Sequence, residues 1–296
     1  MNSDEERRSL QAEKTLAAWQ ASAQYWDKYR DSITRMFAPL TAALIEEAQI
    51  GPGKKVLDIG GGSGEPSLTI SQIVRPTGSV TFTDPVAGMV ETAQAEAGRR
   101  GLTNIQFKQC SADQLPFADG SFDAVVGRLS AMFFPDPGAA LREVLRVVRH
   151  DGLVSFVVWS AEEVNPFFTT VNEVIDRFVD SPPDDPDAPD AFRFADPGKF
   201  AGLLKNAGAS NVTERRLNFQ IEEKLAFEEF WQLRTEMSET LRRKLAGVAS
   251  AQIPTIRQAV AEAAQKYFRN GRMSFPAEAL VVTGKRSNPS TSAGHD

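Results

Sequence analysis

The chain has 296 residues, of which 42% are apolar and 24% charged, a balance that excludes collagenous, coiled-coil and mostly disordered proteins. One cysteine, Cys110, and two histidines exclude an internal disulfide and a cysteine-rich metal centre, and a net charge of -6 without a basic patch argues against nucleic acid. No apolar run suits a membrane span and the polar start has no secretory core, so we expect a cytoplasmic protein with a small-molecule partner and no integral membrane contact.

The first fifty residues read as helix. Leu16, Trp19, Ala23 and Trp26 recur at three- and four-residue steps, as do Ile33, Phe37, Leu40 and Leu44. Pro39 kinks or divides this region, and Gly51-Pro52-Gly53 ends it. Short apolar runs then alternate with amphipathic stretches. Strands are expected at Val56–Ile59, Ser79–Thr83, Ile105–Gln109, Phe122–Val126 and Leu153–Trp159. Helices are expected at Leu68–Val74, Val86–Ala97 and Pro137–Val148. Such alternation implies a parallel α/β sheet covered on both faces, and the charge-poor strands agree.

Beyond Trp159 the pattern loosens. Helices are expected at Pro166–Val179, Pro197–Ala207, Leu225–Ala246 and Ile253–Phe268, and strands at Val212–Phe219 and Ala279–Thr283. Asp180–Asp190 alternates proline and aspartate and reads as a solvated loop, since its prolines separate the carboxylates and no histidine is near. A disordered tail is expected from Ser287. The expected division is a helical lid at 1–50, a core at 51–160, the end of the sheet at 161–286 with helical insertions at 161–195 and 224–271, and the tail at 287–296.

The densest signal is Asp58-Ile59-Gly60-Gly61-Gly62-Ser63-Gly64, which follows a strand and opens a helix. Glycines there permit a tight turn and close approach of a ligand to the backbone. Asp84 ends the second strand, 20 residues past Gly64, and its carboxylate can accept from both hydroxyls of a ribose while also capping the next helix. Asp113, after the third strand, could accept from an adenine amino group beside the N–H of Ala112; its alternative is a turn cap. Three acidic residues at the carboxyl ends of three successive strands point to the edge where open parallel sheets bind ligands.

These motifs resemble those of class I S-adenosylmethionine-dependent methyltransferases, with the ubiquinone and menaquinone biosynthesis methyltransferases as the nearest subgroup. The resemblance runs from Val56 to Trp159 and more loosely to Thr283. Asp58-x-Gly60-x-Gly62-x-Gly64 looks like the first motif, with Gly61 in the same loop. Thr83-Asp84-Pro85 with Met89 and Ala93 resembles the ribose segment, and Ala112-Asp113-x-Leu115-Pro116-Phe117 the adenine segment. The resemblance implies a Rossmann-like, seven-stranded, mostly parallel sheet with its last strand antiparallel. It also implies S-adenosylmethionine as cofactor, S-adenosylhomocysteine as product, and no metal.

By the same resemblance, Asp58 lies near the aminoacid end of the cofactor, and Arg128 binds its carboxylate or orients an acidic acceptor, a surface salt bridge being the alternative. Met132, Phe133 and Phe134 form a pocket wall or pack in the core. The amino-terminal helix is a lid from which Tyr25 or Tyr29 touches the methionine portion or acts as base; plain helix packing is the alternative. Phe192, Arg193, Trp231 and Arg234 are candidate acceptor-lining residues, and their aromatic character suits a planar or lipophilic acceptor.

His150 lies in a turn at the opposite sheet edge and His295 in the tail, so neither serves as base. Two rival readings stand beside this one. A nicotinamide-dependent oxidoreductase would need Gly-x-Gly-x-x-Gly, and Glu65 occupies the third glycine position. A regulatory or assembly protein could bind the cofactor without turnover. The sequence is compatible with a homodimer and does not set the oligomeric state.

Overall fold

The computed structural model describes residues 3–179 and 189–287, with residues 3–12 described by backbone alone. Apart from residues 189, 190 and 287, the expected loop at Asp180–Asp190 and the expected tail lie outside the described residues.

Three helices come first: α1 (Ser3–Lys28), α2 (Arg30–Met36) and α3 (Ala38–Glu47). The chain breaks at Tyr29 and again at Phe37. The second break places Pro39 in the first turn of α3, where a missing N–H leaves no bond unmade. The sheet region then runs β1 (Lys55–Ile59), α4 (Ser67–Ile73), β2 (Ser79–Asp84), α5 (Ala87–Arg99), β3 (Ile105–Gln109), β4 (Phe122–Arg128), α6 (Pro137–Val147) and β5 (Val148–Trp159). After it come α7 (Pro166–Ile175), α8 (Lys199–Asn206), β6 (Ala209–Glu223), α9 (Phe227–Met237), α10 (Glu239–Ala246), α11 (Ile253–Ala264), β7 (Phe268–Arg269) and β8 (Arg272–Arg286).

The strands form one sheet in the order β3-β2-β1-β4-β5-β8-β6, with β7 beside β8. The pairings among β1 to β5 are parallel, and β8 runs antiparallel to both β5 and β6. This is the expected Rossmann-like architecture with a reversed final strand. The strand added to the expected seven is β7, which meets β8 through Asn270-Gly271 with φ of 52° and 69°. Two successive positive φ values suit a tight hairpin turn, and Asn-Gly is the pair that adopts them most readily.

Other boundaries differ for local reasons. The helix expected over Leu225–Ala246 is two helices, because the Ser238 hydroxyl accepts from the Leu241 N–H at 3.3 Å and starts α10 afresh. The α7 helix ends at Ile175 rather than Val179. Strands β6 and β8 each have 15 residues, well beyond the short apolar runs expected. They pair from Ala209↔Arg286 to Glu223↔Met273, whereas β5 pairs β8 only from Ala279 to Lys285, so the outer half of the β6–β8 ladder extends past the main sheet.

The main core lies between the sheet and its helices, where Leu57, Val125, Phe156 and Leu141 are fully buried. Phe167 of α7, Phe230 of α9 and Phe275 of β8, with ring centres 5.2–5.7 Å apart, continue the same core under the outer helices. Among the described residues, no helix is long and apolar enough to cross a membrane.

Candidate functional site

The strand order reverses between β1 and β4, which opens a crevice at their carboxyl ends. The glycine loop lies there. The N–H groups of Gly60 and Gly61 both donate to the Thr83 carbonyl, at 2.8 and 3.0 Å, which folds the loop back over β2. The Gly62 N–H donates to one Asp84 carboxylate oxygen at 3.0 Å, and the Val86 N–H donates to the other at 2.9 Å. Asp84 thus caps the approach to α5 and braces the loop together. Each oxygen keeps a free lone pair for a hydroxyl. Burial pushes the Asp84 carboxyl up to about 6, partly opposed by the N–H groups of Val86 and Gly62.

Beneath the loop, Asp58 is fully buried. One of its oxygens accepts from the Ser67 hydroxyl at 2.7 Å, and the other has no partner. Burial raises its carboxyl to about 7, against the Ser67 hydrogen bond and the attraction of Arg128. The Arg128 side chain donates to the Thr41 hydroxyl on α3 at 2.9 Å. Burial draws its guanidinium below the usual value, while Glu65 and Asp58 push it back up. The Ser130 hydroxyl donates to the Ile59 carbonyl at 2.7 Å and locks the end of β1 to the exit of β4.

Together these parts enclose a cavity of about 360 Å³. Its polar side carries Gly60, Gly61, Gly62, Glu65, Asp84 and Arg128, and its floor Pro85, Met89, Ser111 and Ala112. Its apolar side carries Leu16, Trp19 and Trp26 from α1, with Phe37, Phe133 and Phe134 facing them. The Trp19 ring meets Phe133 edge-on at 4.9 Å and lies 5.7 Å from Trp26.

Several expected residues stand elsewhere. Asp58, Gly64 and Asp113 are not on the cavity wall. A Cβ on Gly64 would come within 2.7 Å of Leu68, so this glycine permits close packing of α4. The Asp113 carboxylate accepts from the Ser111 hydroxyl, which is the turn-cap alternative. Tyr25 and Tyr29 do not line the cavity either. Tyr29 donates to Glu236 at 2.8 Å, and the Tyr25 ring faces the Arg242 guanidinium at 5.0 Å, so both hold α1 against the α9–α10 region. Burial and Glu236 raise the Tyr29 hydroxyl, which also opposes a role as base.

Phe192, Arg193, Trp231 and Arg234 do not line the cavity. Arg193 donates to the Phe134 carbonyl at 2.7 Å and so supports the wall from behind. Arg234 is buried against Phe167 and Phe168, 4.8 Å from each ring, and burial lowers it to about 10. Met132 is fully buried in the core, whereas Phe133 and Phe134 reach the cavity.

Two contributions escaped the sequence reading. In the sequence Glu65 is only a departure from a glycine pattern, yet it is 5% exposed and lines the cavity. The tryptophans were part of the apolar stripe Leu16, Trp19, Ala23 and Trp26, and three of its four members line the cavity. That periodicity was the signal that could have favoured them over the tyrosines.

Comparison with known proteins agrees with this geometry. Residues 57–156 match the family model described as a methyltransferase domain. An uncharacterized protein of Mycobacterium tuberculosis is 37% identical over 151 residues, covering 51% of this chain and 53% of its own length. The uncharacterized methyltransferase YcgJ of Bacillus subtilis is 35% identical over 153 residues, covering 52% and 56% respectively. The ubiquinone/menaquinone biosynthesis C-methyltransferase of Xanthomonas oryzae is 34% identical over 128 residues, or 42% and 51%. The chain thus spans about half the length of these curated relatives. In fold, the crystal structure of YcgJ superposes with a TM-score of 0.55 at 23% identity, covering 84% of this chain and 98% of that one. The domain match also sets aside the nicotinamide-dependent alternative. Residues 57–156 thus carry a methyltransferase domain, on the same stretch where the motifs resemble class I S-adenosylmethionine-dependent methyltransferases.

Proposed function

We propose that the chain transfers a methyl group from S-adenosylmethionine to a small, planar or lipophilic acceptor, mainly by positioning. The observation that carries this reading is the division of one cavity into a polar cradle and an aromatic wall.

The cradle fits the cofactor. Asp84 has a free lone pair on each oxygen for the two ribose hydroxyls. Ser111 and the backbone of Ala112 line the cavity just past the third strand, where they would meet the adenine. A Cβ on Gly60 would sit 2.6 Å from the Cβ of Ser130, so this glycine lets the loop pack against the exit of β4, while the space beside Gly62 is open. Arg128 and Glu65 share the polar side with opposite charges. They suit the carboxylate and ammonium of the methionine portion.

The cofactor supplies a methyl group on a sulfonium, an electrophile that needs no further activation. What remains for the chain is orientation and exclusion of water. Trp19 and Trp26 cover the site from α1, while Phe133 and Phe134 present an apolar face to the acceptor. No tyrosine or histidine lines the cavity among the described residues, so any general base would be one of the carboxylates Glu13, Glu65 or Asp84.

Calorimetry with S-adenosylhomocysteine tests the cradle, and labelled-methyl transfer into fractionated cell metabolites tests turnover. Binding together with label in a lipophilic fraction is the expected result. Absence of binding at millimolar ligand removes the cofactor reading. Binding without transfer to any fraction favours a regulatory protein that holds the cofactor without turnover.

The Asp84 carboxyl adds a pH signature. Ribose hydroxyls pair best with its ionised form, so binding lowers its proton affinity. Affinity for S-adenosylhomocysteine is therefore expected to weaken by up to about tenfold per pH unit below the Asp84 value of about 6 and to level off above it. The Asp84→Asn variant should lose that dependence. The same slope in both proteins would assign it to another group.

A further inference from the structure

The break between α1 and α2 directs Arg30 into the molecule, and its side chain is buried. Its guanidinium joins three parts at once. Nε donates to the Ser63 carbonyl of the glycine loop at 3.1 Å. Nη1 donates to the Glu96 carboxylate at 3.1 Å and Nη2 to the Thr92 carbonyl at 3.3 Å, both on α5. Nη2 also donates to Asp27, at the end of α1.

This gives the glycine loop two anchors. Asp84 takes the Gly62 N–H from one side, and Arg30 holds the Ser63 carbonyl from the other. Both loop residues line the cavity. Glu96 is buried and also meets Arg99 and Arg100, whose charges, with Arg30, outweigh its burial and keep its carboxyl below the usual value. Further along α1, the Gln20 side chain accepts from the Gly88 N–H at 3.2 Å, and Trp19, Ala23 and Trp26 pack with Val86 and Met89. The helix that covers the cavity therefore rests on α5, and its inner end is fixed to the loop by one rigid, five-donor group.

We propose that Arg30 is a positioning residue that couples the amino-terminal lid to the glycine loop, so that cofactor binding and lid closure occur as one event. The proposal rests on the cavity being the S-adenosylmethionine site. A ligand that orders the loop would order α1 through Arg30, and a displaced lid would release the Ser63 carbonyl.

Hydrogen exchange over residues 13–28, measured with and without S-adenosylhomocysteine, reads this coupling, and calorimetry gives the affinity. In the wild type the ligand should slow exchange in this segment. In Arg30→Met the affinity should fall roughly tenfold, as expected for one lost charge-assisted hydrogen bond to the loop. Ligand protection of residues 13–28 should disappear while β1 and β4 exchange as in the wild type.

Arg30→Lys provides a variant that keeps a cation beside Glu96 if the methionine variant does not fold. It has no fork to reach Ser63 and Glu96 together, so it should fold and show the same loss of ligand protection. Wild-type affinity and lid protection in either variant overturn the proposal. So does faster exchange throughout the sheet in Arg30→Lys, which would mark a purely structural role. A wild type that does not bind S-adenosylhomocysteine overturns the cofactor reading, and the proposal with it.

Discussion

Asp84→Ala is expected to weaken S-adenosylhomocysteine binding by roughly 10–100-fold, about 1–3 kcal/mol, because two ribose hydroxyls and the Gly62 N–H would lose their acceptor. The loss should fall mainly on binding. In the free protein the Asp84 carboxylate is 6% exposed and its carboxyl is raised to about 6, so keeping it ionised at neutral pH already opposes folding. Its proton-linked contribution to stability is present below its unfolded value of 3.8 and is lost as pH rises through about 6. Removing it ends that penalty and gives back part of what the loss of the Gly62 and Val86 bonds takes. Calorimetry beside thermal unfolding at neutral pH separates the two effects. An affinity equal to the wild type would take Asp84 out of the ribose site. A large fall in melting temperature with unchanged affinity in the folded fraction would make it a structural cap.

The sequence made this part of the site legible because its interactions are short in range or follow from strand register. Thr83 pairs with Ile59 in the parallel register of β1 and β2, so Asp84 comes to the edge where the glycine loop begins. A glycine run after an apolar strand and an acidic residue ending the next strand are enough to place both. The alternation of strands and helices likewise gave the parallel sheet.

The lid was harder to read. Trp19, Trp26, Tyr25 and Tyr29 are all large and share one helical region, and composition alone does not choose which pair faces inward. The choice is made by partners far away in sequence: Glu236 accepts from the Tyr29 hydroxyl across 207 positions, and Arg242 donates to the Ser22 hydroxyl across 220. Once those contacts hold one side of α1, the stripe containing the tryptophans turns to the cavity. The cap residues misled for a related reason. Trp231 and Arg234 read as ligand-facing because aromatic and basic residues suit a pocket, yet Trp231 is part of the main core and Arg234 is buried against two of the phenylalanine rings there. Arg30 gave no signal at all, since an arginine next to a helix break looks like a surface charge until its acceptors in the loop and α5 are in place.

The glycine loop supplies the second large effect. Gly60 has φ of 68°, a left-handed conformation, and a Cβ there would lie 2.6 Å from the Cβ of Ser130. For alanine, the left-handed backbone costs about 1–2 kcal/mol and overpacking about 1–3 kcal/mol, so Gly60→Ala should destabilise the fold by roughly 2–5 kcal/mol. Relief by movement is restricted from both sides. The Ser130 hydroxyl donates to Ile59, and the Gly60 N–H donates to Thr83, so Ser130 or the loop can withdraw only by breaking one of these bonds. Denaturant unfolding should show the loss in stability, and calorimetry should show S-adenosylhomocysteine binding weakened in the protein that remains folded. Gly62 provides the comparison, because it also has positive φ, 57°, but a Cβ there meets nothing within 4 Å. Gly62→Ala should therefore cost only the backbone part, about 1–2 kcal/mol. Equal losses at the two positions would mean that the Ser130 contact relaxes freely, and the loop would then be less firmly held between β1 and β4 than its hydrogen bonds indicate.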